Sequence, residues 1–273
     1  MLLRGLRAVG AFTSRDAYVH VPFRGTFTVD CGQGRSFRMT SRGHKIENGL
    51  YWDGLRAHEP ESMRFWMDRA ANAGVVLDVG ANSGLFALAA AAAGAGEVHA
   101  FEPLPRVHAI LAENFAGNPQ LPLHAWPVAV GAVDGVADLF DPGGEAPSSA
   151  SLSPEFAAEH FDAVPVRQVD VVSIDSFCSQ HGIDRVDLIK IDVEGYEVNA
   201  LRGMRRIVAA SSPAILMEVL PGQEAQLREA VERLWPGKFA WSAVDEGDGE
   251  ASRNVTLVDR RAATAAPLAG ARD

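Results

Sequence analysis

Cysteine is nearly absent from this chain of 273 residues. Cys31 and Cys178 alone cannot build a disulfide framework or a thiolate metal site, and they read as small hydrophobes in a reducing compartment. Also missing is any apolar run near the roughly 20 residues that a membrane-spanning helix needs. The longest candidate, the alanine-rich stretch 87–95, is short and interrupted by Gly94. The N-terminus does not separate a basic region from an apolar one as a secretory signal does, because Arg4 and Arg7 lie inside its apolar stretch. Leu2, Leu6 and Val9 instead share one helical face, and the N-terminal segment is a candidate contact for a homodimer. Positive charge is scarce too. Lys and Arg number 25 against 35 Asp and Glu, and the net charge of −10 repels a phosphate backbone, which counts against a nucleic-acid substrate. A cytoplasmic protein with a full-sized core is the expectation.

What is present is an alternation of strands and helices. Residues 26–29 and 36–40 read as short strands around a turn, and 59–72 as a helix with acids in its first turn. From Val75 onward compact apolar runs at 75–79, 98–101, 123–130, 187–191 and 214–219 alternate with helical periodicity. Pro127 marks an irregularity in the third run. Residues 164–172 alternate as a half-buried strand, Ser173 can cap the short helix after it, and 255–258 closes the series. This order predicts an α/β fold, a doubly wound and mostly parallel sheet with helices on both faces and a small N-terminal cap. The expected division is a cap over 1–60, a catalytic domain over 61–260 and a flexible tail over 261–273.

Ligands of such sheets bind beyond the carboxyl ends of the strands. The first strand ends in Asp78-Val79-Gly80-Ala81-Asn82-Ser83-Gly84, a G-x-x-x-G turn. Gly80 suits close backbone approach to a ligand, and Gly84 suits close helix–strand packing. Asn82 stands where a pyrophosphate binder places its middle glycine, and Asp78 would repel phosphate but attract an ammonium group. Glu102-Pro103 follows the second strand, where an acid accepts ribose hydroxyls. Ala129 and Val130 are small enough to face an adenine. Together these describe a nucleoside site for a ligand with a positive group and no phosphates, and S-adenosylmethionine fits.

The fourth strand runs into Lys190-Ile191-Asp192-Val193-Glu194-Gly195, and Glu218 lies inside the fifth. Buried carboxylates need partners or a chemical role. Glu194, Asp192 and Glu218 are the candidate bases, and Asp192 with Glu218 could hold Mg2+. His58, His99, His108 and His124 are scattered and read as structural or exposed, and His181 as a cation at a helix C-terminus. The loop 141–154 could close over the site. Phe156, Phe161, Trp52, Phe65 and Trp66 could line an acceptor pocket, although core packing is the simpler use of each.

The segments DVGANSG, FEP, VAVG, SIDSF, KIDVEGYE, LRGM and AILMEV resemble the FkbM-type S-adenosylmethionine-dependent methyltransferases over about residues 75–219. The His58-Glu59-Pro60-Glu61 stretch is similar to the helix start that precedes this domain. The resemblance implies a class I methyltransferase fold and O-methylation of a hydroxyl on a small molecule or sugar. It places Asp78, Gly80, Asn82 and Gly84 at the methionine end, Glu102 at the ribose, Asp192 and Glu194 beside methyl and acceptor, and Glu59 among the cofactor contacts. Two alternatives stay open, an NAD(P)-dependent reductase and a non-catalytic nucleoside-binding scaffold. A reductase should show a three-glycine turn, which this chain lacks, and none of Tyr18, Tyr51 or Tyr196 has lysine four residues on.

Overall fold

The structure, a computed structural model, describes residues 21–143, 150–160, 165–247 and 253–263. The expectations placed on residues 1–20, on Phe161 and on 264–273 lie outside them.

The chain opens with an antiparallel hairpin, β1 (Arg24–Gly32) and β2 (Arg35–Arg42), then helix α1 (Lys45–Asp53), a 3-10 turn (Gly54–Ala57) and α2 (Pro60–Ala70). The alternating core follows: β3 (Val75–Val79), α3 (Leu85–Ala93), β4 (Glu97–Phe101), α4 (Pro105–Ala116), β5 (Leu123–Trp126), β6 (Ala129–Val130) and β7 (Gly135–Phe140). Next come α5 (Pro154–His160), β8 (Pro165–Val172), α6 (Ile174–His181), β9 (Leu188–Ile191), α7 (Glu197–Gly203), α8 (Arg205–Ser211) and β10 (Ala214–Val219). The series ends with α9 (Glu224–Leu234), β11 (Phe239–Ala243), β12 (Arg253–Asp259) and α10 (Arg260–Ala263).

The central sheet has seven strands in the order β11-β12-β10-β9-β3-β4-β5. From β10 to β5 all neighbours are parallel, and β12 runs antiparallel to both β10 and β11. The connection reverses direction across the sheet between β3 and β9, so the carboxyl ends of these two strands form the crevice where such sheets bind ligands. Both strands are buried almost throughout, as expected for strands covered on two faces.

The third apolar run divides differently from expectation. Residues 123–126 pair with β4, but after Pro127 the chain leaves the sheet. Ala129 and Val130 then pair with β8 in a separate three-stranded sheet, β6-β8-β7. Proline has no N–H to continue the ladder, so the strand breaks there. The helical periodicity of Val198, Leu201, Met204 and Val208 is likewise divided between two helices that meet at Met204. Strands β7 and β11 and helix α1 carry too little periodicity to stand out in the sequence.

Helix α3 is buried along its whole length, which explains its Leu/Ala composition: one flank meets the sheet and the other the inner face of the hairpin, Phe27, Val29, Phe37 and Met39. The outer edge of β2 is closed by side-chain amides from the α4 end. Asn114 accepts from Thr40 N at 2.9 Å, and Asn118 accepts from Arg38 N and donates to Arg38 O, both at 2.7 Å. These bonds satisfy an edge strand's free backbone groups and fix the hairpin. Trp66 and Trp52 are core residues, their indole N–H groups donating to Phe86 O and Val21 O. No helix of the described residues is long and apolar enough to cross a membrane.

Candidate active site

Asp78 is the penultimate residue of β3 and only 1 % exposed. Its Oδ2 accepts the Ala87 N–H at 2.9 Å, so it caps the start of α3, whose own N-cap residue Gly84 has no side chain to do so. Its Oδ1 is buried without a hydrogen-bond partner among the described residues. Burial pushes the carboxyl up to about 6 against the nearby Lys190 ammonium.

The glycine turn has a different cause from the one expected. Gly80 sits at φ 82°, and a Cβ there would lie 1.7 Å from the Asp192 carbonyl oxygen, so the close approach is to the end of β9. Gly84, at φ 91°, packs helix against helix rather than helix against strand: a Cβ would meet Leu111 at 2.6 Å and Phe115 at 3.0 Å. It lines neither cavity described below. The Gly80 and Ala81 N–H groups both donate to Phe101 O, and Asn82, with φ 50°, donates its N–H to Glu102 Oε2 at 3.0 Å. Glu102 Oε1 accepts from Leu104 N at 2.9 Å. Each carboxylate oxygen therefore holds one backbone donor and keeps a lone pair. Burial pushes Glu102 up to about 7, with those two donors opposing it.

Lys190 is a buried ammonium among these acids. It rises from an otherwise apolar strand, lies over the Phe86 ring at 4.6 Å and donates to Asp192 Oδ2 at 2.5 Å. Burial alone would lower it, but the carboxylates of Asp192, Asp78 and Glu59 outweigh burial and raise it. The reverse holds for Asp192: burial pushes it up, while Lys190 and a hydrogen bond from Glu218 bring it below the usual carboxylate range. Glu218 is pushed up to about 10 by the Asp192 charge, burial and Glu194, so it is the protonated partner in that bond. Burial, then Asp192 and Glu197, push Glu194 up to about 8. One oxygen from each of Asp192, Glu194 and Glu218 lies within 4.8 Å of the others.

Glu194 is held in the left-handed region, at φ 51°, by its neighbours. Glu197, fully buried at the start of α7, accepts from Val193 N at 3.3 Å and Gly195 N at 3.1 Å, spanning it on both sides. The Ser151 hydroxyl donates to Glu194 O at 2.5 Å, and Phe156 packs on Gly195. Within the expected closing loop, residues 150–154 thus rest on the acidic turn through Ser151, and Phe156 is buried.

Two cavities meet here. The smaller has apolar walls in Phe101, Leu104, Val130 and Leu139, and polar atoms from Asn82, Glu102, Asp192 and Glu194 face it as well. Pro103 and Ala129 line it as well. The larger, of about 430 Å³, holds Glu59, Asp78, Lys190 and Glu218. Gly80, Asn82, Asp192 and Glu194 line both. Glu59 is the N-cap of α2 at φ 44° and accepts from Asn254 Nδ2 at 2.8 Å. Of the cofactor and base candidates singled out in the sequence, all but Gly84 reach one cavity or the other, whereas Trp52, Phe65, Trp66 and Phe156, considered for an acceptor pocket, line neither.

His58, expected to be structural or exposed, lines the larger cavity and helps lower Asp192. Lys190 and Glu197 had no assigned role, though each carried a signal: a lysine inside an apolar strand and a glutamate directly after a glycine turn. His44 and Glu47 also reach the cleft and carried none.

The sequence model of the methyltransferase FkbM domain matches residues 78–236. Among solved structures, the methyltransferase FkbM from Methylobacillus flagellatus KT is similar at a TM-score of 0.51 and 16% identity, over 67% of this chain and 43% of that one. A SAM-dependent methyltransferase from Agrobacterium tumefaciens gives a TM-score of 0.48 and 14% identity, over 88% of this chain and 72% of that one. The chain thus spans less than half of the first of these proteins. No curated protein matches.

Proposed function

The chain belongs to the methyltransferase FkbM domain family, and from that premise we propose that it transfers a methyl group from S-adenosylmethionine to a hydroxyl oxygen of a small molecule or sugar. The observation that carries this reading is the junction of two unlike cavities at Gly80, Asn82, Asp192 and Glu194. An apolar slot beside a carboxylate suits a nucleoside, and a carboxylate-lined cleft suits the cationic methyl donor and its acceptor.

The residues fit this cofactor. Phe101, Leu104 and Val130 offer apolar walls to a purine, and the free lone pairs of Glu102 can accept ribose hydroxyls. The unpartnered Asp78 oxygen can accept from an ammonium group. When bound, S-adenosylmethionine supplies a methyl carbon already activated by its sulfonium. The chain has to align an acceptor oxygen with that carbon, worth roughly 7–11 kcal/mol, and take the acceptor's proton, worth about 10²–10⁴-fold. Asp192, ionised against Lys190, supplies a fixed negative charge. Glu218 carries a proton. Glu194, at about 8, is the carboxylate best matched to accept one near neutral pH.

The same three carboxylates could hold Mg2+, and the spacing of their oxygens favours this second use. The Lys190 ammonium already on Asp192 opposes it. Full turnover in a chelator would remove the metal. In this reading residues 1–60 are a cap on a catalytic domain over 61–260, and the protein works in the cytoplasm without nucleic acid. Calorimetry tests the core of the proposal. Micromolar binding of S-adenosylmethionine and S-adenosylhomocysteine without NADPH binding supports it, and binding of neither refutes it.

A further inference from the structure

The larger cleft extends beyond the residues that a methyl donor needs. Among its further residues are His44 and Glu47, which line this cleft and not the nucleoside slot. They are the N-cap residue of α1 and a residue of its first turn, three positions apart and hence neighbours on one face. Neither is used as a cap: His44 makes no side-chain capping bond, and Ser41 and Asn48 serve the surrounding backbone instead. Glu47 is only 4 % exposed, yet its Oε2 has no hydrogen-bond partner among the described residues, and the buried His44 Nε2 has none either. A buried carboxylate oxygen left unsatisfied costs about 1–3 kcal/mol or more. Two such atoms side by side on a cleft wall point to a group that enters from the cleft.

We propose that His44 and Glu47 form a distal acceptor subsite that binds hydroxyl groups of a neutral polyhydroxylated ligand. This rests on the methyltransferase reading and gives it a substrate class. Glu47 can only accept when ionised, whereas His44 Nε2 donates or accepts according to its tautomer. Adjacent hydroxyls satisfy both atoms in either case, because each both donates and accepts. The same cleft is lined by Asp78, Asp192, Glu194 and Glu218, and Asp78 Oδ1 and Glu218 Oε2 have no hydrogen-bond partner among the described residues. Negative charge is in excess: Glu47, Glu59, Asp78, Asp192, Glu194 and Glu218 line the cleft against two ammonium groups, Lys190, already bonded to Asp192, and the exposed Lys45 at the α1 end, and that excess disfavours an anionic ligand. The hydroxyl groups bind at the α1 end, and the hydroxyl to be methylated lies at the Asp192–Glu194 end. Specificity for the acceptor thus resides in α1, outside the segment matched by the family model.

The test uses the full chain saturated with S-adenosylhomocysteine and ligand-detected NMR. The probes are methyl α-glucopyranoside and myo-inositol as neutral polyols, glucosamine as an ammonium ligand and glucuronate as an anion. A neutral polyol is expected to bind the wild type, and glucuronate is not. Glu47→Ala should weaken polyol binding about 10- to 150-fold, the loss of one charge-assisted hydrogen bond, and Glu47→Gln and His44→Ala by less. S-adenosylhomocysteine affinity should stay unchanged in all three variants, which also reports that each is folded. The subsite is overturned if no neutral polyol binds, if Glu47→Gln, Glu47→Ala and His44→Ala all bind it as the wild type does, or if glucosamine or glucuronate binds better. Loss of S-adenosylhomocysteine binding in the wild type, with Glu47-dependent polyol binding intact, would sink the methyltransferase reading and leave the subsite standing.

Discussion

Replacing Gly80 by alanine tests whether the site is built on a backbone contact between β3 and β9. An alanine Cβ would lie 1.7 Å from Asp192 O, whereas real Cβ contacts stay beyond 3.0 Å, so one of the two strand ends must move by about 1.3 Å. That movement strains the Asp192 N–H to Val79 O bond of 3.0 Å and draws Asp192 from the Lys190 ammonium at 2.5 Å. The left-handed conformation adds roughly 1–2 kcal/mol for a residue with a Cβ. A lost buried backbone bond adds about 1–3 kcal/mol more. The sum, roughly 2–5 kcal/mol, is within what a domain with 5–15 kcal/mol of stability survives. Gly237→Ala is the control, because Gly237 has φ 66° but nothing within 4 Å of a built Cβ. It should show the conformational cost alone, about 1–2 kcal/mol. Urea unfolding should separate the two variants by about 1–3 kcal/mol, and calorimetry should show weaker S-adenosylhomocysteine binding by Gly80→Ala only. Equal midpoints and equal affinities would refute the reasoning.

Asp78→Asn keeps an acceptor for Ala87 N and removes the charge, so near-wild-type stability should accompany a loss of affinity for both S-adenosylmethionine and S-adenosylhomocysteine, which carry the same ammonium group. Unchanged affinity for both would show that the charge does not meet that ammonium. Once an acceptor is found, Glu194→Gln should lower turnover about 10²–10⁴-fold, and the wild-type rise in rate through about pH 8 should vanish in the variant; a persisting rise would assign that titration elsewhere. Asp78, Glu102 and Glu197 are raised to about 6, 7 and 7, so the stability they contribute is complete below their unfolded values near 4 and is lost as pH rises through the folded ones. The ligand-free protein should therefore melt at lower temperature at pH 8 than at pH 5.5, and Glu102→Gln should recover about 2 kcal/mol of that difference. The lowered Asp141 and Asp187 contribute in the opposite sense, their stability being lost only as pH falls below about 4. A melting temperature that climbs from pH 5.5 to 8 would contradict this account.

The parallel strands were legible because a strand buried on both faces must be apolar throughout, and β3, β9 and β10 are nearly so. The acids at their ends were legible for the same reason, as exceptions within or just after such runs. What could not be read was pairing. The departure of Ala129 and Val130 into a second sheet depends on β7 and β8, whose sequences show only that they are exposed on one side. The true neighbour of Gly80 lies 112 positions away, so its glycine looked like ligand chemistry when a strand contact requires it. His44, Glu47 and His58 come from segments without a motif, and only their packing brings them to the cleft.

The charges at the site also explain each other. Seven carboxylates, counting Glu47, Glu59 and Glu102, line the two cavities around one buried ammonium. Of these, Asp78, Glu102, Glu194 and Glu218 are held above their ordinary values, and only Asp192, in contact with Lys190, is held below. Lys190 therefore sets the order of ionisation within the cluster, keeping Asp192 charged and thereby Glu218 protonated. Negative charge beyond that which Lys190 balances has to be matched by protons or by a cation from outside. A ligand carrying both an ammonium and a sulfonium can take the place of those protons, whereas a pyrophosphate would add to the repulsion. The arrangement thus selects by charge before any contact with adenosine is made, and it links the site's proton content to the occupancy of its cofactor.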